Sequence, residues 1–296
     1  MDEGFYLAVC AMSKTESVVP HEPGAPRVLA RRVRWKIHWA LRPERPLVVR
    51  DWWDGMTLVV PHSGSAATAF YRTFPSRAIA GWISEFLRPG MTVVDVGAHI
   101  GVYALLAARL AGPRGLVHAI EPQQDCLPAL NQNAALNGIV NLTTHHLALG
   151  DADGQLGLVV DRRNMGAVTT TATSDPEIMV PALTLDSFAL HHDVEAIDLL
   201  KLDAAGNELA VLRGGQTLLA DGRVERIICK LYNPEVVAAR FGDSRSPYEI
   251  VEFLNSVGYD VVLPNRPATK EALDDAFRDG DYSAPGLATR STKGPG

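Results

Sequence analysis

The regular part of the chain starts near residue 92. Thr92–Val96 is a short apolar run, and a turn, Gly97–Gly101, separates it from a helical stretch reaching about Leu110. Leu116–Ile120 repeats the apolar run. A helix is predicted from about Asp125 to Leu136, closed by Asn137-Gly138, and a third strand over Asn141–Leu149. Residues 151–181 interrupt the rhythm. It resumes with helix Asp186–Leu190, strand Ile197–Leu202, helix Glu208–Leu219, strand Val224–Leu231, helix Tyr248–Val257 and strand Tyr259–Leu263. Apolar strands without polar alternation are buried on both faces, and their alternation with helices predicts an α/β fold around a mostly parallel, doubly wound sheet.

The flanks read differently. Leu47–Arg50 and Met56–Pro61 are short strand patterns around the turn Asp51–Gly55, and Ala78–Leu87 is a helix stopped by Arg88-Pro89-Gly90. Leu29–Leu41 predicts a basic helix, with Arg31, Arg32, Arg34 and Lys36, and with Trp35 and Trp39 on one face. Three roles stand open for it: docking its tryptophans on the main domain, lying on a membrane surface, or covering a ligand. The expected organisation is an N-terminal extension over 1–54, loosely ordered up to 27, and a domain over 55–284. That domain carries an insertion at 151–181, with a hairpin strand at Leu156–Val160 and a threonine-rich stretch at Gly166–Ser174. Residues 285–296, rich in Pro, Gly, Ser and Thr, read as a disordered tail.

Composition narrows the function classes. The chain has 296 residues and a net charge of -6, from 28 Lys+Arg against 34 Asp+Glu, which disfavours a general nucleic-acid binder. Cys10, Cys126 and Cys229 are far apart and form no Cys-x-x-Cys, so neither a disulfide framework nor a cysteine zinc site is expected. No apolar run reaches the ~18 residues of a spanning helix, and the first residues lack the pattern of a secretory signal. A cytoplasmic location is the expectation.

The chemistry concentrates at two strand ends. In Val93-Val94-Asp95-Val96-Gly97-Ala98-His99-Ile100-Gly101 a carboxylate precedes a glycine turn, which sits where ligands bind in open parallel sheets. A dinucleotide site wants G-x-G-x-x-G around a pyrophosphate. Here the spacing is G-x-x-x-G, and Asp95 suits a cationic, phosphate-free ligand, so S-adenosylmethionine is favoured over NAD. Glu121, at the end of the next strand, is placed to accept hydrogen bonds from ribose hydroxyls, or alternatively to cap a helix. His99 lies inside the turn and can donate to a methionine carboxylate. His62 and His118 are isolated, and His145-His146 and His191-His192 are adjacent pairs that point to opposite faces, so no metal site is expected.

Beyond these elements, Asp95–Gly101, Glu121-Pro122, Thr184–Phe188 and Ile197–Arg213 together resemble the FkbM-type family of S-adenosylmethionine-dependent methyltransferases, over about residues 55–262. The resemblance implies a Rossmann-like methyltransferase fold and a small-molecule hydroxyl, on a sugar or natural-product scaffold, as acceptor. It maps Asp95, Gly97, Ala98, His99, Gly101, Glu121, Pro122 and Asp203 onto cofactor-binding positions. Two positions depart from the family pattern: Ala205 stands where a glutamate is usual, and Cys229-Lys230-Leu231-Tyr232 lacks another. Asp203, beside Lys201, is the candidate catalytic group, as orienter, base or simply a helix cap, and Lys201 is expected to pair with it. Lys230, Tyr232 and Asn233 are the candidate acceptor contacts. A nicotinamide oxidoreductase and an inactive cofactor-binding module are the rival readings.

Overall fold

A computed structural model of the chain describes residues 23–160, 168–170, 178–235, 247–278 and 283–291. In chain order its elements begin with α1 (Ala25–Leu41), β1 (Leu47–Val49), β2 (Leu58–Val60), α2 (Gly64–Arg72), α3 (Arg77–Phe86), β3 (Thr92–Val96) and α4 (Val102–Ala111). There follow β4 (Leu116–Ile120), α5 (Leu127–Leu136), β5 (Leu142–His145), β6 (Ala148–Gly150), β7 (Gly154–Val160), β8 (Val168–Thr170), β9 (Ile178–Thr184) and α6 (Leu185–His191). The last are β10 (Ile197–Leu202), α7 (Glu208–Gly214), α8 (Gln216–Ala220), β11 (Val224–Tyr232), α9 (Pro247–Ser256), β12 (Tyr259–Leu263), β13 (Arg266–Pro267), α10 (Lys270–Phe277) and β14 (Ser283–Arg290).

The central sheet runs β13-β12-β14-β11-β10-β3-β4-β5. Its half from β11 to β5 is parallel, and β14 joins β11 and β12 antiparallel. Alternating side chains supply two cores. Val93, Leu199 and Ile228 face one layer, while Val94, Leu200 and Ile227 face the other. This is a doubly wound, Rossmann-like fold, as the apolar runs predicted. The chain proceeds outward from β3 through β4 to β5 and then returns to place β10 on the other side of β3. The β3–β10 step is therefore the topological switch point, where ligands bind outside the strand ends.

Three expectations change. Asn141–Leu149 is two strands: β5 ends the central sheet, while β6 starts a separate four-stranded sheet, β6-β9-β7-β8, built from the insertion. Within that insertion, most of the threonine-rich stretch Gly166–Ser174 lies outside the described residues. The helix expected over Glu208–Leu219 breaks at Gly215 into α7 and α8. Finally, residues 285–290 are no disordered tail. They form most of β14, in the slot between β11 and β12, where two neighbours satisfy its backbone groups and leave Leu287 and Ala288 buried. The remainder of that stretch, 292–296, and residues 1–22 lie outside the described residues.

At the N-terminal side, α1 docks through Trp35 and Trp39, both buried. The Trp35 ring stacks on Phe70 with centroids 6.2 Å apart, and the Trp39 ring stacks on His62 at 4.2 Å. Arg31 Nη1 donates to the carbonyls of Phe70 and Tyr71 (3.1 and 3.2 Å), capping the end of α2. Among the described residues no helix is long and apolar enough to cross a membrane.

Candidate active site

The turn after β3 exists because glycine permits it. Gly97 has φ 74°, and a Cβ there would lie 2.0 Å from the Asp203 carbonyl oxygen, so β3 and β10 close at this height only with glycine between them. Gly97 and Ala98 both donate their N–H to Ile120 O (2.9 and 3.1 Å), and Asp203 N donates to Val96 O (3.0 Å). Gly101, φ 90°, occupies the cap position of α4. Three strand ends are thus tied to one another by backbone bonds.

Those ends form the floor of a cavity of about 760 Å³, within the usual range for small-molecule sites. Gly97, Ala98, His99, Glu121, Pro122, Lys201, Asp203, Lys230 and Tyr232 all line it. Three expected contacts do not. Asp95 is 1% exposed and lies behind the wall, Gly101 serves the helix start, and Asn233 is buried, its side-chain oxygen accepting from Glu235 N at 3.0 Å. Walls that local sequence pattern could not reveal come from distant elements, Ser76 and Arg77 at the start of α3 and Ser283 and Pro285 on β14, beside Tyr103 from α4 directly after the turn. Only a close non-local pairing brings those distant walls here.

Glu121 is 5% exposed and fixed by two backbone donors, His99 N to Oε2 at 2.6 Å and Gln123 N to Oε1 at 2.8 Å. Burial dominates and pushes its pKa up to about 7, despite those donors. His99 has φ 53°, and burial lowers its pKa to about 4, so it is neutral. Its ring Nε2 is buried with no hydrogen-bond partner among the described residues. A buried polar atom left unsatisfied beside a cavity marks a place for a ligand contact.

Lys201 does not pair with Asp203 as expected. The parallel register sets Lys201 opposite Asp95, and its Nζ lies 2.7 Å from Asp95 Oδ1 and 3.1 Å from Gly97 O. Burial opposes its charge, but Asp95 and Asp203 outweigh it and hold its pKa above the ordinary lysine value. Asp203 belongs to a different group. Tyr232 Oη donates to its Oδ1 at 2.5 Å, and Lys230 Nζ stands 3.3 Å from Oδ2. Burial works to raise the Asp203 pKa, yet Lys230, Lys201 and Tyr232 together carry it below the usual carboxylate value. Nor does Asp203 cap a helix: α7 starts at Glu208 with Asn207 before it. The loop between them is held by Glu208, whose Oε1 accepts from Ala204 N (2.8 Å) and Gly206 N (3.3 Å), with Ala205 at φ 52°.

Among the histidines, one member of each adjacent pair meets an isolated one away from the cavity. His118 Nδ1 lies 3.1 Å from His145 Nε2, with His192 beside them around Phe188. No group of three potential metal ligands occurs among the described residues.

The model of the methyltransferase FkbM domain matches residues 95–261, 167 of 296 positions (261 − 95 + 1). The chain belongs to the FkbM methyltransferase family. Among its relatives, 31-O-demethyl-FK506 methyltransferase FkbM of Streptomyces tacrolimicus is 26% identical over 246 residues, covering 72% of this chain and 89% of that protein. Methyltransferase 1 of Beauveria bassiana is 25% identical over 144 residues, 41% of this chain and 57% of that protein. Of solved structures, methyltransferase FkbM from Methylobacillus flagellatus is similar with a TM-score of 0.43 at 15% identity, over 88% of this chain and 60% of that one. Aeropyrum pernix fibrillarin with bound S-adenosyl-L-methionine gives 0.42 at 15%, over 83% and 99%. In this FkbM-family chain the matched span opens at Asp95 and includes the three strand ends that floor the cavity.

Proposed function

We propose that this methyltransferase binds S-adenosylmethionine in the switch-point cavity and methylates a hydroxyl of a small metabolite, a sugar or a natural-product scaffold. The observation that carries the reading is that one cavity holds two separate polar groups: Glu121 with His99 at the β3–β4 side, and Asp203 with Tyr232 and Lys230 at the β10–β11 side. The Streptomyces relative is named for 31-O-demethyl-FK506, an O-demethylated compound, which supports the same acceptor class. NAD fits less well, because the Gly97–Gly101 spacing lacks the pyrophosphate fingerprint.

The residues fit such a donor. Glu121 accepts from ribose hydroxyls, the Gly97–His99 backbone lets the ligand approach, and the neutral His99 ring donates from its unpartnered Nε2 to a carboxylate. When bound, the donor supplies an electrophilic methyl group on a sulfonium. What remains for the protein is alignment of the nucleophile and exclusion of water. Asp203 accepts the hydrogen bond of the acceptor hydroxyl. Because its neighbours hold it ionised and weakly basic, it orients the hydroxyl more than it abstracts the proton. Lys230 and Tyr232 fix the Asp203 carboxylate and border the acceptor space.

Isothermal titration with the donor and with its demethylated thioether, followed by transfer of a labelled methyl group to a panel of hydroxylated sugars and macrolide scaffolds, tests this. Binding plus an O-methylated product is expected. Binding with no transfer across the panel would make the protein an inactive cofactor-binding module, and methyl recovered only on nitrogen or carbon would overturn the acceptor class.

A further inference from the structure

Helix α1 has two faces, and the fold accounts for one. The buried face carries Trp35 and Trp39. The opposite face exposes Leu29, Val33, Ile37 and Leu41, at 64%, 49%, 53% and 75%. Spaced four apart, these side chains advance by about 40° per step and so cover an arc of about 120°. Ala30 and Ala40, also exposed, fall inside that arc. Exposed cations border it on both sides: Arg32 and Lys36 along one edge, Arg27 and Arg34 along the other. The helix is also longer than its sequence pattern showed, 17 residues from Ala25.

Its charge is opposite to that of the rest of the chain. Residues 25–41 hold five Lys/Arg and no Asp/Glu, in a protein of net charge -6, so everything else sums to -11 (-6 − 5). We infer that α1 attaches the enzyme to an anionic bilayer surface. The four apolar side chains enter the boundary between headgroups and acyl chains, and the bordering cations reach lipid phosphates. Charge selects this occupant. A second copy seated on the same face would bring two helices of charge +5 together. A neutral apolar groove would leave Arg27 and Lys36 unmatched, the two bordering cations other than Arg32 and Arg34, which lie over the Tyr71 and Phe70 rings at 5.6 and 5.7 Å. The tryptophans remain docked on the domain throughout, so attachment needs no unfolding of α1.

Flotation of the full-length protein with vesicles tests the inference. Phosphatidylcholine vesicles with about 30% phosphatidylglycerol should carry at least ~10-fold more protein than pure phosphatidylcholine vesicles, and raised salt should release it. The double variant Val33→Asp/Ile37→Asp changes only exposed positions; it should lose flotation while keeping the wild-type melting temperature and donor affinity. Equal recovery with both vesicle types, no recovery with either, or flotation untouched by the double variant overturns the inference. So does a lipid-free dimer that the double variant splits, since the face would then belong to a second copy.

Discussion

Lys201 and Asp95 stand side by side across the β3–β10 step, Nζ to Oδ1 2.7 Å, with side chains 3% and 2% exposed. The carboxylate that precedes the glycine turn is therefore matched from within the protein, below the cavity floor, rather than by a ligand. Breaking a buried pair leaves an uncompensated charge, at a cost of about 3–5 kcal/mol. Lys201→Met should lose stability on that scale in denaturant unfolding, and adding Asp95→Asn should recover at least half. A loss below ~1 kcal/mol for the single variant would show that the pair is not a buried ionic contact.

The two glycines of the turn should differ in tolerance. Gly97→Ala faces a backbone oxygen at 2.0 Å, whereas Gly101→Ala meets the Leu130 side chain at 3.3 Å, which can shift. Both pay roughly 1–2 kcal/mol for left-handed backbone, but only Gly97→Ala must part β3 from β10. Thermal unfolding should rank Gly97→Ala well below Gly101→Ala, with donor binding lost only in the former. The reverse order would contradict the close approach at Asp203.

Donor affinity should depend on pH through Glu121. Its folded pKa, about 7, lies above the ordinary value of 4.5. Between those values the folded protein holds a proton that the unfolded chain has released, so this group's contribution to stability falls as pH rises through the window. In the proposed site ribose hydroxyls would donate to the ionised form, so affinity should instead rise as pH passes about 7. Titration calorimetry from pH 6 to 8 (a range of ~1 unit on either side of that value) should show the rise in the wild type. Glu121→Gln should flatten it, and Glu121→Ala should weaken binding by roughly 1–3 kcal/mol. An identical slope in Glu121→Gln would remove Glu121 from the ribose site.

Tyr232 and Asp203 make a separable test of the acceptor side. Tyr232→Phe deletes a donor that holds the Asp203 carboxylate ionised, so the acid limb of the kcat profile should move to higher pH. Asp203→Asn should reduce kcat far more than donor affinity. Equal losses in both would reassign Asp203 to cofactor binding.

The C-terminal strand should be indispensable. Ending the chain before Ser283 removes β14 from between β11 and β12 and leaves both edges unpaired. Such a chain should be recovered insoluble or without cooperative unfolding in circular dichroism; a soluble, cooperatively melting product would show that β14 is peripheral.

The parallel strands were legible because a strand buried on both faces must be apolar along its whole length, and that requirement is written locally: β10 occupies the very span, Ile197–Leu202, that the pattern marked. The glycine turn and Glu121 were legible for a similar reason, since backbone geometry at Gly97 admits no side chain. By contrast, α2 and β14 escaped notice. Ser283–Arg290 contains Pro285 and Gly286, which read as loop, and it becomes a strand only because two neighbours offer it hydrogen bonds.

Sequence by itself determined the sheet class, the strand ends that carry polar groups and the family to which they belong, because each follows from residues adjacent in the chain. Tertiary structure alone decided that Lys201 neutralises Asp95, that Tyr232 and Lys230 hold Asp203, and that β14 walls the cavity. Those side-chain pairings span 27 to 106 positions in sequence, from Lys230–Asp203 to Lys201–Asp95. They depend on which strands lie side by side and in what register, and strand order is fixed by the packing of both layers at once rather than by any local run.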